Sequence, residues 1–116
     1  MNINLKELLK QDFGVEFPIS GGIGNSIDNP IVIHLAKYND YVGTEYSVLE
    51  CIGKGRGIEW KIVEQGLLSH QNIKIDKVKI ETIQLTDDSK ITQIENYYFD
   101  ITECFGKGAL NPEITD

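Results

Sequence analysis

Basic residues are scarce in this chain: 11 Lys and Arg stand against 18 Asp and Glu, for a formal net charge of -7. Nucleic-acid binding depends on clustered Lys and Arg that neutralise phosphates, so a nucleic-acid partner is not expected. Cysteine is scarcer still. Cys51 and Cys104 are the only two, too few for a disulfide framework, and both are expected as reduced thiols in the cytoplasm. A bond between them remains the secondary reading. The two histidines, His34 and His70, form neither a His-x-His nor a His-x-x-x-His pair, so no metal site is signalled and no cofactor is expected. Long apolar runs are missing too. Nothing approaches the roughly 20 apolar residues of a membrane helix, and charges interrupt residues 1–13, MNINLKELLKQDF, too often for a secretory signal.

What is present describes an ordinary globular domain. The 116 residues fit one domain and can bury a core without disulfides or metal. Hydrophobic residues make up 41% and charged residues 25% of the chain, which argues against general disorder.

The strongest pattern is a C-terminal hairpin over residues 73–105. Its first arm sets Val78, Ile80 and Thr82 against Lys77, Lys79 and Glu81 on the other face. Its second arm sets Ile91, Tyr97, Phe99, Ile101 and Phe105 on one face. Residues 86–90, TDDSK, supply the turn between them. At the other end of the chain, residues 3–12 read as a short helix. Asn4 suits the N-cap, Glu7 is the capping-box partner, Leu5, Leu8 and Leu9 make an apolar stripe, and Gly14 closes the helix. Residues 20–30 read as a long loop and residues 31–36 as a strand opened by Pro30.

The middle of the chain is ambiguous. Residues 50–55, ECIGKG, recur as residues 103–108, ECFGKG. The second copy ends a strand, so residues 46–52 are read as a strand as well, although Tyr46, Leu49 and Ile52 also have helical spacing. Residues 58–70 alternate like a strand through Ile58, Trp60 and Ile62, yet Trp60, Val63 and Leu67 make a helical stripe. The repeat favours a helix there. The resulting expectation is an α+β fold: a mainly antiparallel sheet of about four strands with two helices, arranged as an αββ duplication with halves 1–57 and 58–116. The alternative is a five-stranded β meander with an N-terminal helix. Trp60 is expected to be buried against the sheet.

No catalytic constellation stands out, and no enzymatic activity is expected. Net acidity and the aromatic run at residues 97–99 point first to a protein-binding module. Such a module would be an inhibitor or immunity-type protein that neutralises a basic partner, with charge steering the encounter. Its face would gather Tyr98, Asp100, Glu95, Asp87 and Asp88, joined by Glu45 and Glu103. The second reading is a small-molecule or anion-binding domain, or a small enzyme. It would use the glycine-rich segments at 20–26 and 53–57, with Lys54, Gly55, Arg56 and Lys107 holding an anion and Cys51 or His34 supplying reactivity. The third is a structural subunit whose hairpin edge pairs with a neighbour, protected by Lys77 and Lys79.

Overall fold

The computed structural model describes residues 4–35 and 40–106. The fold is α+β, with two helices packed on one face of a five-stranded mixed sheet. Helix α1 spans Leu5–Phe13. The side chain of Asn4 accepts from the Glu7 N–H at 2.8 Å, and Gly14, at φ 72°, closes the helix in the left-handed region. Two short strands follow, β1 (Ile19–Gly21) and β2 (Ile31–Ile33), paired antiparallel. Helix α2 spans Tyr41–Arg56. Then come β3 (Glu59–His70), β4 (Ile73–Leu85) and β5 (Lys90–Asp100), an antiparallel meander.

The sheet order is β1-β2-β5-β4-β3. Among the described residues the only parallel junction lies between β2 and β5, where Ile31 pairs with Phe99 and Val32 with Asp100. The core sits beneath that junction. Leu5 and Leu9 of α1 and Val48 and Leu49 of α2 bury against Ile19, Ile31, Ile33, Val78, Ile80 and Phe99 of the sheet. At the other end the β4–β5 hairpin runs past the helices, leaving Leu85 68% exposed and stretching the molecule to 56 Å.

The two ambiguous segments exchange their expected forms. Residues 46–52 are helical and residues 59–70 are extended. Helix wins in the first because Glu45, Val48, Leu49, Ile52 and Gly53 recur at three- and four-residue intervals, which puts them on one side of a helix. Asp40 caps its start by accepting from the Gly43 N–H at 3.0 Å, and Gly57 closes its end at φ 70°. Strand wins in the second because β4 supplies a full ladder of partners from Ile73 to Ile83. Gly66 and the β-branched Ile62 and Val63 also favour strand over helix. Val63 forms a bulge between Ile62 and Glu64, which lets Trp60, Ile62 and Gln65 all face α2.

The repeated hexapeptide therefore has two conformations. Residues 50–55 lie in α2, whereas residues 103–106, the described part of the second copy, lie in turns after β5. The αββ duplication fails on this point, because two short sequences that differ at one position took their conformation from different tertiary partners. A further correction concerns the hairpin. Lys77 and Lys79 lie on β4, an inner strand, so they guard no edge; the sheet edges are β1 and β3.

Trp60 is half-buried and lies against α2 at Gly53, where an added Cβ would come within 2.9 Å of the indole Cδ1. Gly55, two residues on, has only Phe13 nearby, at 3.8 Å. The two glycines thus separate close approach from simple helix propensity. Gly53→Ala should destabilise by about 1–3 kcal/mol, as overpacking does, and shift the Trp60 emission. Gly55→Ala should stabilise by about 0.5–1 kcal/mol through helix propensity. Urea unfolding followed by tryptophan fluorescence measures both signs.

Candidate functional site

A cavity of about 590 Å³ opens between α1, α2 and β5. Leu5, Leu9 and Phe13 of α1, Ile52 of α2 and Ile23 of the β1–β2 loop give it apolar walls. Its existence follows from the shortness of β2. That strand pairs with only the last two residues of β5, so the rest of β5 has no paired strand on that side. The Tyr98 N–H points away from β4 and donates to the Gly24 carbonyl at 2.9 Å. Backbone direction repeats every second residue in a strand, so the N–H and C=O of Asn96 face the same open side and line the cavity.

One end of the cavity is polar. Arg56 donates from Nη1 and Nη2 to the two Glu95 oxygens at 2.7 and 2.8 Å, and from Nη1 to the Tyr97 hydroxyl at 3.3 Å. This bidentate pair raises Arg56 and lowers Glu95 from their ordinary values, chiefly through the hydrogen bonds themselves. Burial pushes Tyr97 up. All three groups titrate away from neutrality, so the polar end carries fixed and balanced charge. Cys51 also lines the cavity, but burial pushes its thiol up, against a thiolate nucleophile.

The residues expected to form an acidic face are dispersed. Asp87 and Asp88 sit in the β4–β5 turn, at the other end of β5 from Asp100; from Lys90 to Asp100 that strand runs about 33 Å at ~3.3 Å per residue. Glu95 faces the helices beside Arg56, whereas Tyr98 and Asp100 face the opposite side. The Tyr98 ring lies under the Lys77 ammonium at 5.9 Å. Asp100 accepts from the N–H and hydroxyl of Thr102 at 3.0 and 2.6 Å. Glu103 is turned toward His34, and Glu45 is fully buried.

The anion site expected around residues 53–57 has the wrong polarity. Lys54, Gly55 and Arg56 form the last turn of α2, where carbonyls rather than N–H groups are exposed. Lys54 and Arg56 there complement the negative end of the helix dipole, and Arg56 is already paired. Lys107 lies outside the described residues.

Two polar clusters escaped sequence reasoning. In the first, Ser20 Oγ lies 2.7 Å from His34 Nε2, and His34 Nδ1 lies 3.0 Å from Glu103 Oε1. Ser20 and Val32 are paired across β1 and β2, so His34, two residues beyond Val32, shares the face of Ser20. Glu103 arrives from the turn after β5, and its Oε2 accepts from the Leu35 N–H. The sequence separations of 14 and 69 residues carry no motif; only the β1–β2–β5 pairing brings the three together. His70 is placed elsewhere, its Nε2 3.3 Å from Asp28.

The second cluster lies under α2. Gln65 of β3 donates to Glu45 at 3.2 Å and to Asp76 of β4 at 2.7 Å, and accepts from the Tyr46 hydroxyl at 2.7 Å. Burial, then hydrogen bonding to Asp76 and its negative charge, push Glu45 from 4.5 up to about 10. Glu45 is therefore protonated at neutral pH. That proton gives its Oε2, buried and otherwise unpartnered, a bond to donate toward Asp76. The cluster was missed because a helix placed on residues 58–70 turns Gln65 away from Glu45.

Comparison of the chain with protein-family models, with curated proteins and with solved structures finds no match in any of the three. Among the described residues no helix is long and apolar enough to cross a membrane, and no group of three or more His, Cys, Asp and Glu is placed to hold a metal ion.

Glu45 makes stability depend on pH with a defined sign. A carboxyl whose value is raised on folding contributes fully below its unfolded value and loses that contribution as pH climbs toward the folded value. For Glu45 the loss begins above 4.5 and extends to about 10. The urea midpoint should therefore fall between about pH 5 and 9. Glu45→Gln keeps a donor toward Asp76 without the proton, and should flatten that slope. A slope unchanged in the variant would assign the dependence to other groups.

Proposed function

We propose that the protein binds a small, largely apolar molecule with an uncharged polar head in the cavity between α1, α2 and β5. The observation that carries this reading is the cavity itself. Its volume of about 590 Å³ lies within the ~300–1,000 Å³ typical of small-molecule sites, and its walls are mostly apolar with a few convergent polar groups. The polar end favours an uncharged head. Arg56 and Glu95 already neutralise each other, so a ligand carboxylate would have to displace Glu95 and leave it without its partner. The edge backbone of Asn96 and the Tyr97 hydroxyl can take up hydroxyl or carbonyl groups instead. This develops the small-molecule reading of the sequence at a different place, with Arg56 as an orienting group and not an anion clamp.

The alternative, an acidic module for a basic protein, draws support from the net charge of -7 alone. The face across from the helices mixes signs, with Lys61 3.3 Å from Glu81 and Lys79 3.7 Å from Glu64.

The neutral fluorophore N-phenyl-1-naphthylamine tests the cavity directly. Its emission should rise on binding, and Gly55→Leu, whose side chain would project into the cavity, should weaken binding by about 10-fold or more, equivalent to ~1.4 kcal/mol. The same variant should fold at least as stably as the parent, because it replaces a helical glycine. Unchanged affinity in Gly55→Leu would place the probe elsewhere and remove the reading. Native mass spectrometry of the protein purified from its source would then identify the resident molecule.

A further inference from the structure

A second, smaller pocket of about 250 Å³ lies on the far side of Leu5, lined by Asn4, Leu5, Lys6, Ile19, Ser20 and His34 among others. It contains two members of the Ser20–His34–Glu103 chain, with Glu103 behind His34. We propose that Ser20 is a nucleophile toward short-chain carboxylic esters, with His34 as its general base and Glu103 as the positioning residue that orients the imidazole.

The geometry fixes the direction of the hydrogen bonds. Glu103 accepts from the Leu35 N–H as well as facing His34. The bond from His34, then that from Leu35, hold its carboxyl below the usual carboxylate range, so it is ionised and can only accept. In its neutral form His34 must then carry its proton on Nδ1. Nε2 is left with its lone pair toward Ser20, and the Ser20 hydroxyl donates across the 2.7 Å gap. That arrangement is the one a serine nucleophile requires: base within reach, and base oriented by a third group. Ser20 is exposed, so an ester can approach it. The pocket's size admits a short acyl chain against Leu5 and Ile19.

The opposite wall is the first turn of α1. Asn4, Leu5 and Lys6 line the pocket there, and the N-terminal end of a helix is the positive end of its dipole. In the proposed reaction that positive end would face the negative charge developing on the ester carbonyl oxygen.

The reaction balances without any cofactor. Ser20 Oγ bonds to the carbonyl carbon while its proton passes to His34 Nε2. The tetrahedral oxyanion collapses, the bond to the alkoxy group breaks, and Nε2 gives its proton to the leaving oxygen as the alcohol departs. Water then attacks the acyl-Ser20 ester and gives a proton to Nε2. The second collapse releases the carboxylic acid and returns that proton to Ser20 Oγ. Ester and water become acid and alcohol, with no change of oxidation state.

A fluorophosphonate reagent with peptide mapping tests the proposal, because Ser47, Ser69 and Ser89 are exposed serines in the same chain and report ordinary reactivity. Ser20 should be modified at least about 100-fold faster than those three, the lower end of what a positioned base supplies. His34→Gln should remove that advantage. Hydrolysis of p-nitrophenyl acetate should fall to the uncatalysed rate in Ser20→Ala, with its urea midpoint unchanged because Ser20 is exposed. The ¹⁵N shifts of His34 should report the Nδ1–H tautomer, and Glu103→Gln should shift the ring toward the other tautomer while slowing modification of Ser20. Modification of Ser20 no faster than of Ser47, Ser69 and Ser89, or full ester hydrolysis by Ser20→Ala, would overturn the nucleophile. An unchanged tautomer in Glu103→Gln would overturn the role of Glu103.

Discussion

The short parallel pairing of Ile31 and Val32 with Phe99 and Asp100 is the joint on which the rest of the molecule depends. Phe99 and Ile31 are both fully buried there. Burial of apolar surface contributes about 25 cal/mol per Å², so two large side chains on opposite sides of one joint hold it firmly although the ladder is short. The joint attaches β1–β2 to the meander and anchors the sheet that α1 covers. Because it covers only two residues of β5, the remaining edge of that strand stays open, and the larger cavity occupies the opening. Because it lies at the end of β5, the chain leaves the sheet beside β2, and Glu103 reaches His34. Both candidate sites are thus consequences of where one pairing starts and stops, and Leu5 of α1 stands between them.

Helix α2 shows how tertiary context overrides composition. Gly43, Gly53 and Gly55 each weaken it by roughly 1 kcal/mol against alanine. Two of them are explained by what they meet. At Gly43 a Cβ would strike the capping carboxylate of Asp40, and at Gly53 it would strike Trp60. The glycines allow a closer cap and closer helix–strand packing, and the packing returns more than propensity loses. Glu45 adds a polar requirement on the same inner face. Burial, then its hydrogen bond to Asp76, holds its carboxyl far above the usual range, so a protonated Glu45 is part of the helix–sheet contact.

The charge of the chain is distributed, not concentrated. Opposite charges alternate across the outer face of the meander, as between Lys61 and Glu81 and between Lys79 and Glu64. Pairs of this exposed kind contribute about 0–1 kcal/mol each. The excess of acidic residues falls partly on the hairpin tip, partly beside His34, and partly inside the molecule at Glu45. Net charge therefore says little about either pocket. The larger one is electrically balanced by Arg56 and Glu95, and the smaller one pairs an anion with an imidazole.

The sequence by itself determined what depends on neighbours along the chain. The cap of α1 by Asn4, its termination at Gly14, the first arm of the β4–β5 hairpin and the turn are local patterns, and the inward set Val78, Ile80 and Thr82 is buried as its alternation implied; the second arm, expected to run to Phe105, stops at Asp100 and leaves Ile91 and Phe105 exposed. The α+β class follows from those elements. The identity of α2 and β3 was not legible, because residues 46–52 and 58–70 fit both periods and a chance hexapeptide repeat weighed toward the wrong one. Once β3 was read as a helix, Gln65 could not be placed against Glu45 and Asp76. The Ser20–His34–Glu103 chain, the cavity along β5 and the separation of Asp87 and Asp88 from Asp100 were decided by the tertiary structure alone. Each depends on which strands lie side by side, and strand order is a long-range choice set by the packing of the whole apolar core, which no local periodicity encodes.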